Sequence, residues 1–256
     1  MKRLIPLLAA GLAILVACDR TENGEILEEL FLGNTGSKET PAIPTSGLIA
    51  WYPFDGDVQD ASGRGHHGEI SGNITPTVGR KGKSNTAYQF YADPNSGIVV
   101  PHHTDFVMSR FTINFWFYDS TGNYNIGTVI HKGDLKKGTY SMGVNYVVAC
   151  TSSNKLTGVF LYGNDTDVPP PGDWHMLTGV VSGNLAKIYL DGVFVREASL
   201  GGSFECSGNQ NLVIGLLYYH NISSKQDRYP FKGKLDDIRI YNRALSQREI
   251  DALYLE

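Results

Sequence analysis

Apolar and polar positions alternate with a period of two over short stretches along most of this chain, the pattern of strands that bury one face. Residues 48–54 open the series, followed by 87–91, 97–101, 111–118, 127–132, 139–147, 156–162, 174–182, 185–190, 193–196 and 211–216. Gly183-Asn184 and Asp191-Gly192 are the turns between three of these strands, the second a tight hairpin signal. In 111–118, Phe111, Ile113, Phe115 and Phe117 share one face, and Thr112, Asn114, Trp116 and Tyr118 share the other. The phenylalanine face predicts core. Trp116 then falls on a more open face, where its ring is free to stack on a sugar unless a loop covers it.

A last strand begins at Leu235, with Asp237, Arg239 and Tyr241 on one face and Leu235, Asp236, Ile238 and Ile240 mixed about the other. Ser246 followed by Glu249 is a capping box that opens a short helix, with Leu245, Ile250, Leu253 and Tyr254 placed to pack back on the sheet. Regular short strands with no helix between them predict an all-β fold of two antiparallel sheets, closed by one short C-terminal helix.

The run Gly233-Lys-Leu-Asp-Asp-Ile-Arg-Ile-Tyr-Asn-Arg-Ala-Leu-Ser246 closely resembles the ending of laminin-G-like, concanavalin A-like jelly-roll domains of bacteria. Further stretches resemble family strands in the right order: Phe111-Thr-Ile-Asn-Phe-Trp-Phe117, Trp174-His-Met-Leu-Thr-Gly-Val180, Ile188-Tyr-Leu-Asp-Gly-Val193 and Leu212-Val-Ile-Gly215. The opening strand ending in Phe54-Asp-Gly56, then Asp60-Ala-Ser-Gly63 and His67-Gly68, has the family form too. The resemblance implies a jelly-roll sandwich over 47–256. It leaves activity open, because one fold hosts many sites.

Composition adds compartment and excludes some partners. Lys2 and Arg3 precede an apolar run from Leu4 to Ala17, too short to span a bilayer and of the form of an export signal. Leu15-Val16-Ala17-Cys18 resembles a bacterial lipobox, which implies lipidation of Cys18 and an anchor in the outer membrane. Loss of residues 1–17 takes the formal charge from −4 to −6, so the chain lacks the basic surface that nucleic acid requires. Residues 18–46, acidic and small-polar with prolines, read as a flexible tether, and their acidic cluster resembles surface-export signals of some lipoproteins. With Cys18 acylated, Cys150 and Cys206 remain as a pair. They are either a disulfide, worth roughly 4 kcal/mol on chain-entropy grounds, or two buried thiols.

Candidate chemistry is sparse. Related laminarinase-type enzymes carry Glu-x-Asp-x-x-Glu on one strand, and no such run is present, so the expectation is a binding protein and not a glycosidase. The doublets His66-His67 and His102-His103 lack helical zinc spacing and read as loop histidines. Asp55, Asp57 and Asp60 crowd one glycine-rich loop with the hard oxygen donors that calcium takes. In resembling domains a structural calcium joins the first and last strands through an aspartate that Asp236 matches; the alternative is that these aspartates cap turns. Candidate ligand-binding residues are Trp116, Tyr124, Tyr162, Asp165, Tyr218, Tyr219 and His220, in or beside long connections. The partner implied is a carbohydrate or glycoconjugate, with the membrane met only through the lipid and protein partners in an envelope complex as a further reading.

Overall fold

The computed structural model describes residues 41–121, 127–134, 137–150, 156–161, 169–204, 206, 208–217 and 229–256. In chain order the strands are β1 (Leu48–Tyr52), β2 (Glu69–Ser71), β3 (Ile74–Thr77), β4 (Ala87–Tyr91), β5 (Gly97–Val100), β6 (Arg110–Tyr118), β7 (Thr128–Asp134) and β8 (Lys137–Gly143). β9 (Tyr146–Cys150), β10 (Leu156–Phe160), β11 (Trp174–Ser182), β12 (Leu185–Leu190), β13 (Val193–Ser199), β14 (Leu212–Ile214) and β15 (Lys232–Tyr241) follow, then the helix α1 (Gln247–Tyr254). They form two antiparallel sheets. One has the order β13-β12-β11-β6-β15-β4-β3 with β1 also paired to β15, and the other the order β10-β9-β8-β7-β14-β5-β2.

Alternation explains the layering. Phe111, Ile113, Phe115 and Phe117 point between the sheets as expected, and meet Ile98, Val100, Leu212 and Ile214 of the facing sheet in one continuous core. The expected strand 139–147 is instead a hairpin, β8 turning at Val144-Asn145 into β9. Val144 is buried, so an apolar residue sits where turn residues are usually polar, and the alternation ran on through the bend. At Asp191-Gly192 both residues adopt positive φ, 50° and 81°, the geometry that lets a two-residue turn match strand twist.

The outer face of the eight-stranded sheet is also covered. Trp116, Met176, Val180, Tyr189 and Tyr241 form a second apolar cluster there with Leu245, Ile250 and Leu253 of the helix segment. Glu249 reaches back to accept from the Ser246 amide at 2.8 Å and pairs with Arg243 at 2.6 Å, fixing the helix start. Residues 43–46 belong to this layer and not to a tether: Ile43 packs on the cluster, and the Pro44 carbonyl accepts from Tyr241 Oη at 3.1 Å. The Ser46 carbonyl accepts from Arg243 Nε at 2.8 Å.

One irregularity decides where the acids of the last strand point. The pairing of β15 with β6 shifts between Asp236 and Arg239, and Asp237 has φ 47°, so a bulge inserts one extra residue. Leu235, Ile238 and Ile240 therefore all face the core, and Asp236, Asp237, Arg239 and Tyr241 stay on the helix side. This replaces the mixed face read from strict alternation.

Candidate functional site on the seven-stranded sheet

The outer face of the other sheet carries a continuous cross-strand row. Register aligns Gly158 with Val148, Val148 with Ser141, Ser141 with His131, His131 with Val213, Val213 with Val99 and Val99 with Glu69. Directly paired residues point the same way, and the neighbours of Val99 and Val213 along their strands face the core, so this row faces out. At its β5–β14–β7 end lies a pocket of about 500 Å³ lined by Val99, His131, Gly133, Asn209, Gln210, Asn211 and Val213.

The amide-rich wall of that pocket is held from behind. Lys132 alternates inward from His131, and its buried Nζ donates to the Gly208 carbonyl at 3.0 Å and the Gln210 carbonyl at 2.6 Å. Burial lowers its pKa, a cost balanced by these carbonyls and by His102 Nδ1 at 3.3 Å. Asn211 Oδ1 accepts from the His102 amide at 3.0 Å, pinning the other end of the segment. His131 Nε2 donates to the Gly133 carbonyl at 3.0 Å, and Gln210 Oε1 is buried with no hydrogen-bond partner among the described residues. Asn209 is exposed at the rim. Amide and imidazole groups beside two valines can bond hydroxyls while apolar carbons pack on Val99 and Val213. No carboxylate is present among the described residues of this pocket.

Two stacked antiparallel sheets with this strand order, closed by the Leu235–Ser246 segment, agree with a family comparison in which residues 92–251 match the concanavalin A-like lectin/glucanases description. The chain belongs to the concanavalin A-like lectin/glucanases superfamily. It resembles domain 4 of AbnA, a GH43 extracellular arabinanase from Geobacillus stearothermophilus solved with arabinotriose, at TM-score 0.62 and 22% identity, over 81% of this chain and 98% of that one. It also resembles the binding domain of Paraclostridial Mosquitocidal Protein 1, at TM-score 0.62 and 18% identity, and the botulinum neurotoxin serotype G binding domain, at TM-score 0.61 and 18% identity. Those two matches cover 82% and 81% of this chain and about half of each toxin domain, 52% and 50%. At such identities the likeness is one of fold. A comparison with curated proteins found no match.

Of the residues expected to bind ligand, only Trp116 is among the described residues. Trp116 is on the outer face of β6 as alternation requires, but that face is covered. It is 8% exposed, stacked on Tyr254 at 5.7 Å and capped by the Arg80 guanidinium at 4.6 Å, so it presents no open platform for a sugar. Tyr124, Tyr162, Asp165, Tyr218, Tyr219 and His220 lie outside the described residues. His131, Asn209, Gln210 and Asn211 had drawn no attention in the sequence. The Asn-Gln-Asn run between two strand patterns was the only signal that pointed to them.

The acidic loop does not converge on one ion. Asp60 accepts from the amides of Trp51, Ser62 and His66 and from Ser62 Oγ, at 2.8 to 3.0 Å. Burial works against its charge, but these bonds hold its carboxyl below the usual range. Asp57 caps the Gln59 amide at 2.9 Å. Both are turn caps, which corrects the four-aspartate cage. Asp55 does share a pocket of about 330 Å³ with Asp236, Asp237, Arg80 and Glu256.

Asp236 is different. It is buried, accepts the Arg80 amide at 3.0 Å, and burial together with neighbouring Asp237 pushes its carboxyl to about 7. A β-carbon on Gly79 would fall among Thr86 Oγ1, the Thr86 carbonyl (2.7 Å) and Asp236 Oδ2 (2.8 Å). Glycine thus leaves a small space walled by hard oxygens, one of them from a carboxyl that a cation would hold ionised, which fits calcium and would be a poor fit for a soft metal.

Of the cysteine pair, the Cys150 side chain lies outside the described residues. Cys206 is in the core with Sγ 3.6 Å from the Phe106 carbonyl.

Proposed function

We propose that this protein is a non-catalytic carbohydrate-binding module, seating a glycan in the pocket of Val99, His131, Asn209, Gln210, Asn211 and Val213. The observation that carries this reading is the chemistry of that pocket: amide and imidazole groups on a strand-borne apolar floor, with no paired carboxylates among its described residues. Glycoside hydrolysis on such a sheet needs two carboxyl groups about 5 to 9.5 Å apart across the bond. The arabinotriose held by the AbnA domain supports a sugar ligand for the fold class.

Titration of a polysaccharide panel beside an assay of reducing-end release tests it. Binding without release, weakened at least about tenfold by Asn209→Ala, is the expected result. Release of reducing ends would establish the hydrolase instead, and binding to no glycan would leave a protein-binding adhesion module.

The reading includes export and a lipid on Cys18, supported by the Leu15 to Cys18 lipobox likeness. Several acyl chains hold a protein stably where one chain is marginal. Cys18→Ser is then expected to move the protein to the soluble fraction, and wild-type membrane retention of that variant would refute it. Structural calcium at Asp236 and Thr86 belongs to the same proposal. It would supply positive charge to a buried carboxylate and link β15 to the segment ahead of β4.

A further inference from the structure

The two histidine doublets, apart by 36 positions in sequence, meet in space. His66, His67, His102 and His103 line one pocket of about 350 Å³ with Gln59, Glu69 and Pro101. Four of the chain's seven histidines share it. Within the group, His66, His103 and Asp105 each present a ligand atom within 4.8 Å of the others. His66 Nε2 is 3.0 Å from Asp105 Oδ2, and His103 Nδ1 is 3.6 Å from Asp105 Oδ1.

We infer that His66, His103 and Asp105 form a site for a divalent transition metal of the zinc type, with three protein ligands and an open position toward the pocket. Two imidazoles and one carboxylate are the donor set that borderline cations such as Zn²⁺ accept, at about 2.0 to 2.2 Å per bond. Tetrahedral bonds of that length separate ligand atoms by roughly 3.3 to 3.5 Å. The two observed separations, each to a different oxygen of Asp105, lie close to this spacing, and all three ligand atoms fall within 4.8 Å of one another.

The anchored and the movable parts of the site are distinct. His66 is 6% exposed, its ring packed on Phe106 at 4.8 Å and on His103 at 4.6 Å. Its backbone is fixed twice, by the Tyr52 hydroxyl on its carbonyl at 2.7 Å and by its amide on Asp60 at 3.0 Å. These bonds aim Nε2 at the carboxylate whether or not metal is present. His103 is about half exposed at 52%, and its ring accepts a 3.2 Å bond from the Asp105 amide. It is the arm that swings in. Arg64 now lies 3.3 Å from Asp105 Oδ2 and is itself 45% exposed, so it can yield that oxygen to a cation.

This set is separate from the oxygen cradle at Asp236 and selects the opposite class of ion. The two sites are distinguished by asking which metal each variant loses. The whole chain, stripped with chelator, is titrated with Zn²⁺ and with Co²⁺, whose visible spectrum reports four-coordinate nitrogen and oxygen ligation. One equivalent is expected, retained in excess Ca²⁺. His103→Ala and Asp105→Asn, both at accessible positions, are expected to weaken zinc by more than the roughly 10–100-fold that loss of an outer partner costs. Asp236→Ala and His102→Ala are expected to leave it unchanged. The inference is overturned by substoichiometric binding, by displacement with Ca²⁺, by full binding in His103→Ala, or by loss of binding in His102→Ala.

Discussion

Trp116 and Tyr254 stack, their ring planes 10° from parallel and their centres 5.7 Å apart, one from near the end of β6 and the other from the last turn of the helix. The pair fastens the helix to the back of the sheet. Tyr254→Ala should therefore lower stability by about 1 kcal/mol, the worth of a stacked pair beyond its buried area. Glycan affinity should stay at the wild-type value, because the pocket is on the other sheet. Denaturant midpoints and titration of the same samples check both halves, and a loss of affinity without a loss of stability would return Trp116 to the ligand site.

Calcium should raise the melting temperature through Asp236 and not through the acidic loop. Binding to the native state at a hundredfold excess over the dissociation constant stabilises by roughly 2.7 kcal/mol. Asp236→Ala is expected to abolish the difference between chelator and calcium, and Asp57→Ala to preserve it, since Asp57 only caps Gln59. Identical melting curves for the wild type in the two conditions would remove calcium from the account.

The pair His175–Asp191 sets a pH dependence. Asp191 holds His175 Nδ1 at 2.8 Å and raises its pKa above the ordinary 6.5, while burial opposes the shift. A group whose folded pKa is raised contributes its full stability below the unfolded value and loses it as pH rises through the folded one. Stability should thus fall as pH rises above about 6.5 and through the raised folded pKa of His175, and Asp191→Asn should flatten that part of the profile. Asp191 also caps the Met176 amide, so the variant's overall stability will drop; the slope with pH is the diagnostic quantity.

Lys132→Met keeps the stem and removes the ammonium that holds the Gly208 and Gln210 carbonyls. Leaving such acceptors without a donor costs about 1–3 kcal/mol, partly offset because a buried charge is removed as well. The pocket wall should loosen, so glycan affinity should fall more than stability. Unchanged affinity would mean that the 208–211 segment does not touch ligand.

The strands at 87–91, 174–182 and 185–190 were legible to the residue, because each is rich in strand-favouring apolar and aromatic residues and has asparagine, aspartate or glycine within two residues of either end. β2 and β3 were missed, being three and four residues long with little apolar content. What the sequence hid was convergence. Asp57 and Asp60 are neighbours in the chain yet cap separate turns, whereas His66 and His103 are far apart in the chain and touch. Local crowding of one residue type measures only sequence distance, and contacts across a sandwich depend on strand order, which no short motif encodes. The bulge at Asp237 was likewise invisible except as a fault in the alternation, and it was that fault that put both aspartates on the helix side.

The chain enters the domain at Ile43 and Pro44, against the back of the eight-stranded sheet, while the amide-lined pocket opens on the far side of the seven-stranded one. The thickness of both sheets therefore separates Ile43 and Pro44 from anything held in the pocket. Tension between residues 43–44 and a bound polymer would cross the sandwich from sheet to sheet. The phenylalanine-rich interior, and not any single hydrogen-bonded strand pair, would bear that load.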